Sequence, residues 1–319
     1  MKFHLDIDEF VEAINASGKN LNINPLFIEK DYWITLVLKH LAESKYAQSV
    51  VFKGGTSLSK AYRIVDRFSE DIDIAVINAS EMTGNQVKTL IRNVEKKITT
   101  DLTEIETPNI TRKGSKFRKS VFSYPGISDL GISSGISDRM IIEINFFANP
   151  YPYEQVQVQS FIGEYLESAG FTDLVSKYGL GSFGLNVLNK KRTMLEKIVS
   201  LIRFSFDKDP VASLSGKIRY FYDIYFLLND PDCSNYINSA EFKTDFADLI
   251  EHDKSEFDEP EGWKEKGISD SPLISNFSNI WIRLKGVYIN ELSLLAFTEI
   301  PDKKVVEDSF AQLVSTISD

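Results

Sequence analysis

The chain has little of what many enzymes build their sites from. It holds one cysteine, Cys233, so it forms no intramolecular disulfide and no cysteine-based zinc site. Cys233 lies in a polar Asp-Pro-Asp-Cys-Ser turn with no base beside it and reads as incidental. The three histidines, His4, His40 and His252, are scattered and support neither a metal cluster nor a catalytic triad. No apolar segment approaches the ~18 residues that a membrane-spanning helix needs. The opening MKFHLDIDEF lacks the basic start and apolar run of a secretory signal. A cytoplasmic protein with no membrane partner is therefore expected. Net positive charge is missing too: at −10 the chain is unsuited to indiscriminate nucleic-acid binding, although a local basic patch can still serve a specific RNA or DNA.

What is present is a globular composition. The 319 residues, 43% hydrophobic and 12% aromatic, suffice for a large core and two or three structural units. Residues 1–48 read as a helical N-terminal segment, with Asn24 and Pro25 opening a strong helix to Leu41. Residues 49–150 mix strands and helices. The strands fall at Val50 to Phe52, Asp71 to Val76, Phe117 to Tyr124 and Met140 to Phe147, with helical character at Ser57 to Val65 and Asn85 to Thr99. Between the last two strands lies GISDLGISSGISD, whose three Gly-Ile-Ser copies are too short and close for a solenoid and read as an irregular connection. Residues 151–319 read as a mainly helical C-terminal domain. There Leu195, Ile198, Val199 and Ile202 form one helical stripe, and Ile218, Phe221, Tyr222 and Tyr225 another. The acidic stretch 251–266 reads as an exposed loop, and helices close the chain around Ile280 to Leu295 and Lys304 to Ile317.

The most informative segment is VVFKGGTSLSKAYRIVDRFSEDIDIAV, Val50 to Val76. A strand runs into Gly54-Gly55-Thr56-Ser57 and a helix, and a second strand carries Asp71-Ile72-Asp73. Glycines let a backbone approach a phosphate closely, and free N–H groups at a helix start attract an anion. Thr56 and Ser57 add hydroxyl donors. Strand alternation puts Asp71 and Asp73 on one face, about 6–7 Å apart, where they can share one or two divalent cations. A Gly-Gly-Thr turn or an Asp-x-Asp alone is commonplace; their combination in this order is far more specific. It suits nucleotidyl transfer, which needs a triphosphate cradle and carboxylates for metal ions. Arg67 and Ser69, just before the metal strand, read either as phosphate and nucleotide contacts or as loop structure.

Three further acids and bases stand out. Glu143 shares a strand face with Asn145, opposite Ile142, Ile144 and Phe146, and is either an acid beside the Asp pair or an exposed edge residue. Asp223 interrupts an apolar run and needs a partner. That partner is either Arg219 one turn earlier or a functional group such as Lys197 or a metal-bound nucleotide. Lys197 by itself also reads as a solvated lysine on a helix flank. Basic residues cluster in TRKGSKFRKS (Arg112, Lys113, Lys116, Arg118, Lys119) and in Lys190-Lys191-Arg192, either as solvated faces or as a polyanion contact.

The Phe52 to Val76 segment closely resembles the signature of the AbiEii/AbiGii-type nucleotidyltransferase toxin family, a branch of the DNA polymerase beta-like nucleotidyltransferase superfamily. The resemblance extends to FIEKDYWITLVLKHL upstream, to RTMLEKIVSLIRF, and to KIRYFYDIYFLL, which is similar to a family motif usually written Arg-Asp-x-Tyr-Asp-x-Tyr. It covers about residues 27–228. It implies an α/β (α+β) fold with a polymerase beta-like nucleotidyltransferase core and mixed β-sheet, flanked by helical additions. It also implies a metal pair on Asp71 and Asp73, a triphosphate cradle on Gly54, Gly55, Thr56 and Ser57, catalytic or nucleotide-contacting roles for Lys197 and Asp223, and a third carboxylate for which Glu143 is the candidate. Implied with these are Mg2+ or Mn2+, an NTP substrate, transfer of NMP to an acceptor such as a tRNA 3′ end, and a toxin of a type IV toxin–antitoxin or abortive-infection system with a cognate antitoxin. Two departures stand. Fourteen residues separate Thr56 from Asp71, a wider spacing than the superfamily's minimal pattern. Tyr220 occupies the place of the motif's first acid. Transfer to a protein or small molecule, or a catalytically silent nucleotide-binding module, are the competing readings.

Overall fold

The computed structural model describes residues 1–69, 71–127 and 139–318, so most of the Gly-Ile-Ser repeat lies outside the described residues. They fall into two compact units, Met1–Arg63 with Phe68–Leu188, and Ile64–Arg67 with Asn189–Asp319.

The first unit is a mixed sheet with helices. Its helices are α1 (Ile7–Leu21), α2 (Pro25–Ala42), α3 (Gly54–Lys60), α4 (Gly84–Ile98), α5 (Phe161–Ser168) and α6 (Thr172–Tyr178). Its strands are β1 (Val50–Lys53), β2 (Asp71–Val76), β3 (Thr103–Ile105), β4 (Arg112–Lys113), β5 (Phe117–Ser123), β6 (Arg139–Asn145), β7 (Tyr153–Val158) and β8 (Phe183–Leu188). They form an eight-stranded sheet in the order β3-β5-β6-β2-β1-β8-β7, with β4 also pairing β5. β1 runs antiparallel to β2 and parallel to β8, and β2 runs parallel to β6.

Cross-strand register carries Ser120, Ile142, Ile72, Ile74, Phe52 and Val187 onto one sheet face, all of them buried. Helix α4 lies over this face, where Glu95 accepts from Ser120 Oγ at 2.6 Å and Arg118 Nε at 2.7 Å. Helix α2 packs against α4 and β8. Asn24 caps it, accepting from the Leu26 N–H at 3.0 Å, and Pro25 fits the first turn, where no intrahelical donor is needed. Every residue from Phe27 to Leu38 is buried, including Glu29, Lys30 and Asp31. The N-terminal segment is thus a core element of the sheet unit and not an appendage.

The boundary expected at residue 150 moves to 188, because β7 and β8 belong to the sheet. Two prolines ahead of β7 and the short, polar alternation of YEQVQV hid an edge strand. Helix α3 also starts at Gly54, three residues earlier than Ser57, and ends at Lys60, so the double glycine is its first turn.

The second unit is helical: α7 (Lys190–Phe204), α8 (Pro210–Ser215), α9 (Ile218–Asn229), α10 (Pro231–Ile237), α11 (Ala240–Glu256), α12 (Pro272–Ser275), α13 (Phe277–Leu295) and α14 (Lys303–Ser318). The stripes on α7 and α9 face its core, where Phe221 meets Trp281 and Phe310 at ring-centroid distances of 5.4 and 4.8 Å. Cys233 is buried in α10, not in a turn, and 251–256 finish α11 where a loop was expected. The segment Ile64–Arg67 joins this unit through backbone pairing, with the Phe297 N–H donating to Asp66 O at 2.7 Å and Arg67 bridging Ala296. No helix among the described residues is long and apolar enough to cross a membrane.

A buried ion pair ties three helices of the sheet unit together. Lys60 Nζ on α3 donates to Asp31 Oδ1 on α2 at 2.6 Å, and the Phe161 N–H at the start of α5 donates to Asp31 Oδ2 at 2.8 Å. Burial pulls the Lys60 ammonium down to about 8, with Asp31 limiting the fall, so it is still charged at neutral pH. Removing one partner strands the other charge in the core. Asp31→Ala is expected to cost about 3–5 kcal/mol of unfolding free energy in urea titration; a loss under about 1 kcal/mol would mean the pair is solvated.

Candidate active site

Glycine is required where β1 turns into α3. Gly54 has φ +82°, and a Cβ there would stand 2.9 Å from Asp73 Cγ and closer still to Oδ2. The backbone at the strand–helix junction therefore lies directly against the Asp73 carboxylate. Thr56 Oγ1 donates to the carbonyl of Asp71, pinning the first turn of α3 to the start of β2. Ser57 Oγ donates to Gly54 O at 2.8 Å. Both side chains are buried, and each spends its one hydroxyl proton inside the protein. What this turn can offer an anion is thus backbone at Gly54 and Gly55, with Thr56 and Ser57 as its scaffold.

On the sheet face opposite the apolar one, register builds a row of four charges across four strands. Lys53 on β1 is opposite Asp73 on β2, Asp73 is opposite Glu143 on β6, and Glu143 is opposite Lys119 on β5. Asp71 shares the Asp73 face by strand alternation. All five residues are half-buried. Lys119 Nζ stands 3.4 Å from a Glu143 carboxylate oxygen. The edge-strand alternative for Glu143 is excluded, since β6 is flanked by β2 and β5.

No group of three or more His, Cys, Asp or Glu among the described residues is arranged to hold a metal by itself. The donor set still fits Mg2+, which binds through one or two carboxylates plus substrate phosphates and keeps its remaining waters. Asp71 and Asp73 are two such carboxylates, next to a backbone cradle.

Asp223 is fully buried on α9 in the second unit. Arg67 grips it with two bonds of 2.6 Å, from Nε to Oδ1 and from Nη2 to Oδ2, and Lys197 Nζ on α7 reaches Oδ2 at 2.9 Å. Burial favours the neutral acid, but the charges of Arg67 and Lys197 outweigh it and hold the carboxyl below its ordinary value. Lys197 is buried, not solvated, and Arg219 turns to Glu291 at 2.9 Å instead of Asp223. Sequence reasoning held Lys197 among the alternatives for Asp223's partner but missed Arg67. Its only sequence signal was a cation embedded among the apolar residues of RIVDRF. Buried in this bidentate grip, Arg67 has its guanidinium engaged with Asp223 where a phosphate contact was considered, and Ser69 is buried as well. Lys119 was also missed as Glu143's neighbour, although alternation in FRKSVFS carries it to the acid face.

The sheet face thus sets two acids against a glycine turn, with a third acid one strand away. The family profile described as "Nucleotidyl transferase AbiEii toxin, Type IV TA system" matches residues 36–287. The chain belongs to that family and is a nucleotidyltransferase toxin of a type IV toxin–antitoxin system, for which an NTP substrate and a cognate antitoxin follow. Among solved structures, MenT4, a nucleotidyltransferase toxin from Mycobacterium tuberculosis H37Rv, aligns over 91% of this chain and 94% of its own at 14% identity and a TM-score of 0.37. A likeness that loose carries no weight for function. Comparison with curated proteins yields no match.

Gly54→Ala is expected to abolish transfer while the protein stays folded, because the new methyl group displaces the Asp73 carboxylate and forces a left-handed backbone on alanine; full activity in a labelling assay would refute the close approach. Asp223 generates an acid-side prediction. Its folded pKa lies below the ordinary aspartate value that it regains on unfolding. Its stabilisation is therefore complete above the unfolded value and is lost as pH falls through the folded value. The difference in unfolding free energy between wild type and Asp223→Asn should be constant from about pH 5 to 7 and shrink below about pH 4; a difference that grows on acidification would reverse the assignment.

Proposed function

We propose that the protein is a metal-dependent nucleotidyltransferase that moves a nucleoside monophosphate from an NTP to the 3′ end of an RNA, with tRNA the favoured acceptor. The contact of the Gly54 backbone with the Asp73 carboxylate carries this reading, because a backbone suited to a phosphate and an acid suited to a metal ion meet at one point. In the reaction the acceptor hydroxyl oxygen attacks the α-phosphorus, the bond to the β-phosphate oxygen breaks, and pyrophosphate leaves. Mg2+ or Mn2+ held by Asp71 and Asp73 would neutralise phosphate charge and acidify the acceptor hydroxyl. Gly54 and Gly55 hold the triphosphate through backbone N–H groups. Glu143 orients the acceptor hydroxyl, with Lys119 beside it. Family resemblance implies catalytic or nucleotide-contacting roles for Lys197 and Asp223, with Asp223 and Arg67 fixing the lysine.

RNA is favoured over a protein or small molecule by the hairpin β4–β5. Arg112, Lys113 and Lys116 on it are exposed, with Lys113 also paired to Glu104, while the less exposed Arg118 is consumed by Glu95 and Lys119 by Glu143. Such a protein acts in the cytoplasm, as the effector of an abortive-infection response that a cognate antitoxin counters.

The test is to incubate the protein with each labelled NTP, Mg2+ or Mn2+, and total RNA or lysate. RNA should acquire label with wild type and none with Asp73→Ala of unchanged thermal stability. Label confined to a protein or metabolite would replace the acceptor, and an active Asp73→Ala would sink the site. Neutralising Arg112, Lys113 and Lys116 together should weaken RNA binding at all sequences and lower its salt slope by about one unit for each phosphate no longer neutralised.

A further inference from the structure

The family motif has an acid where this chain has Tyr220, and the second unit shows what the aromatic ring does instead. Tyr220 and Asp223 lie three residues apart on α9 and so share a helix face. Lys197 of α7 meets both: its Nζ is 2.9 Å from Asp223 Oδ2 and 4.1 Å from the centroid of the Tyr220 ring. That is well within the ~6 Å range of a cation–π contact. Lys217 approaches the same ring at 5.4 Å.

We infer that Tyr220 is a positioning residue, an aromatic platform that fixes the Lys197 ammonium for its role toward a nucleotide phosphate. The inference rests on the proposed role of Lys197 toward the nucleotide. A lysine has a flexible four-carbon stem and no fixed donor geometry, so a lysine that serves an anion must be held from other sides. Asp223 holds it from one side, but that carboxylate also satisfies both Arg67 nitrogens. At position 220 a ring holds the ammonium through its quadrupole and carries no formal charge.

Two readouts test this. In the first, Tyr220 is replaced by phenylalanine and by mono-, di- and trifluorinated phenylalanine, which keep the ring's shape and progressively drain its negative face. Pyrophosphate release with Mg2+, mixed NTPs and total RNA should be near wild type for Tyr220→Phe, fall with each fluorine, and drop roughly tenfold for Tyr220→Leu. A flat fluorine series with an impaired Lys197→Met overturns the platform. A fully active Lys197→Met instead overturns the role of Lys197 on which the inference rests. The second readout needs no turnover. Among lysine Cε signals labelled with carbon-13, the one that vanishes in Lys197→Met should show a ring-current upfield shift that disappears in Tyr220→Leu. An unshifted signal in the wild type, or one unchanged in Tyr220→Leu, overturns the inference even if no acceptor is found.

Discussion

The approach of Gly54 to the Asp73 carboxylate is the constraint from which the rest of the candidate site follows. It needs a residue that tolerates φ +82° and has no Cβ, and it needs β1 and β2 antiparallel with Lys53 opposite Asp73. The Thr56 bond to Asp71 O then ties the helix start to the strand start. Once β2 is fixed, parallel pairing with β6 decides that Glu143 stands next to Asp73. Each step involves the backbone on at least one side. The charges are passengers on a geometry set by register.

Two kinds of charge pairing coexist. Asp31 with Lys60, and Asp223 with Arg67 and Lys197, are buried and short, and each carboxylate accepts from more than one donor. Such groups gain little net stability over apolar replacements, but losing one partner is costly, so they fix which elements meet. Lys119 and Glu143 are half-buried at 3.4 Å, a looser contact that water or substrate can exchange. The tight pairs frame the elements, and the loose one lies on the face where chemistry is proposed.

Hydrophobic periodicity revealed α2, α4, α7, α9, α13 and α14, because helical stripes and caps are local properties. Asp71 to Val76 was legible as a strand with its acids on one face for the same reason. The polar edge strand β7 was not legible, since its burial depends on β8 and not on its own residues. The start of α3 was misread because two glycines signal a turn, whereas here the first of them makes the turn and both open the helix.

By itself the sequence determined the family, the Gly-Gly to Asp-x-Asp order, and the pairing of acid types with a glycine turn. Tertiary structure decided which partners those residues use. Arg67 lies 156 positions from Asp223, and Lys119 and Glu143 come from strands joined by a long connection. Local patterning specifies which way a side chain points along its own element. Only the packing of distant elements, driven by apolar burial and fixed by strand register, specifies what it points at.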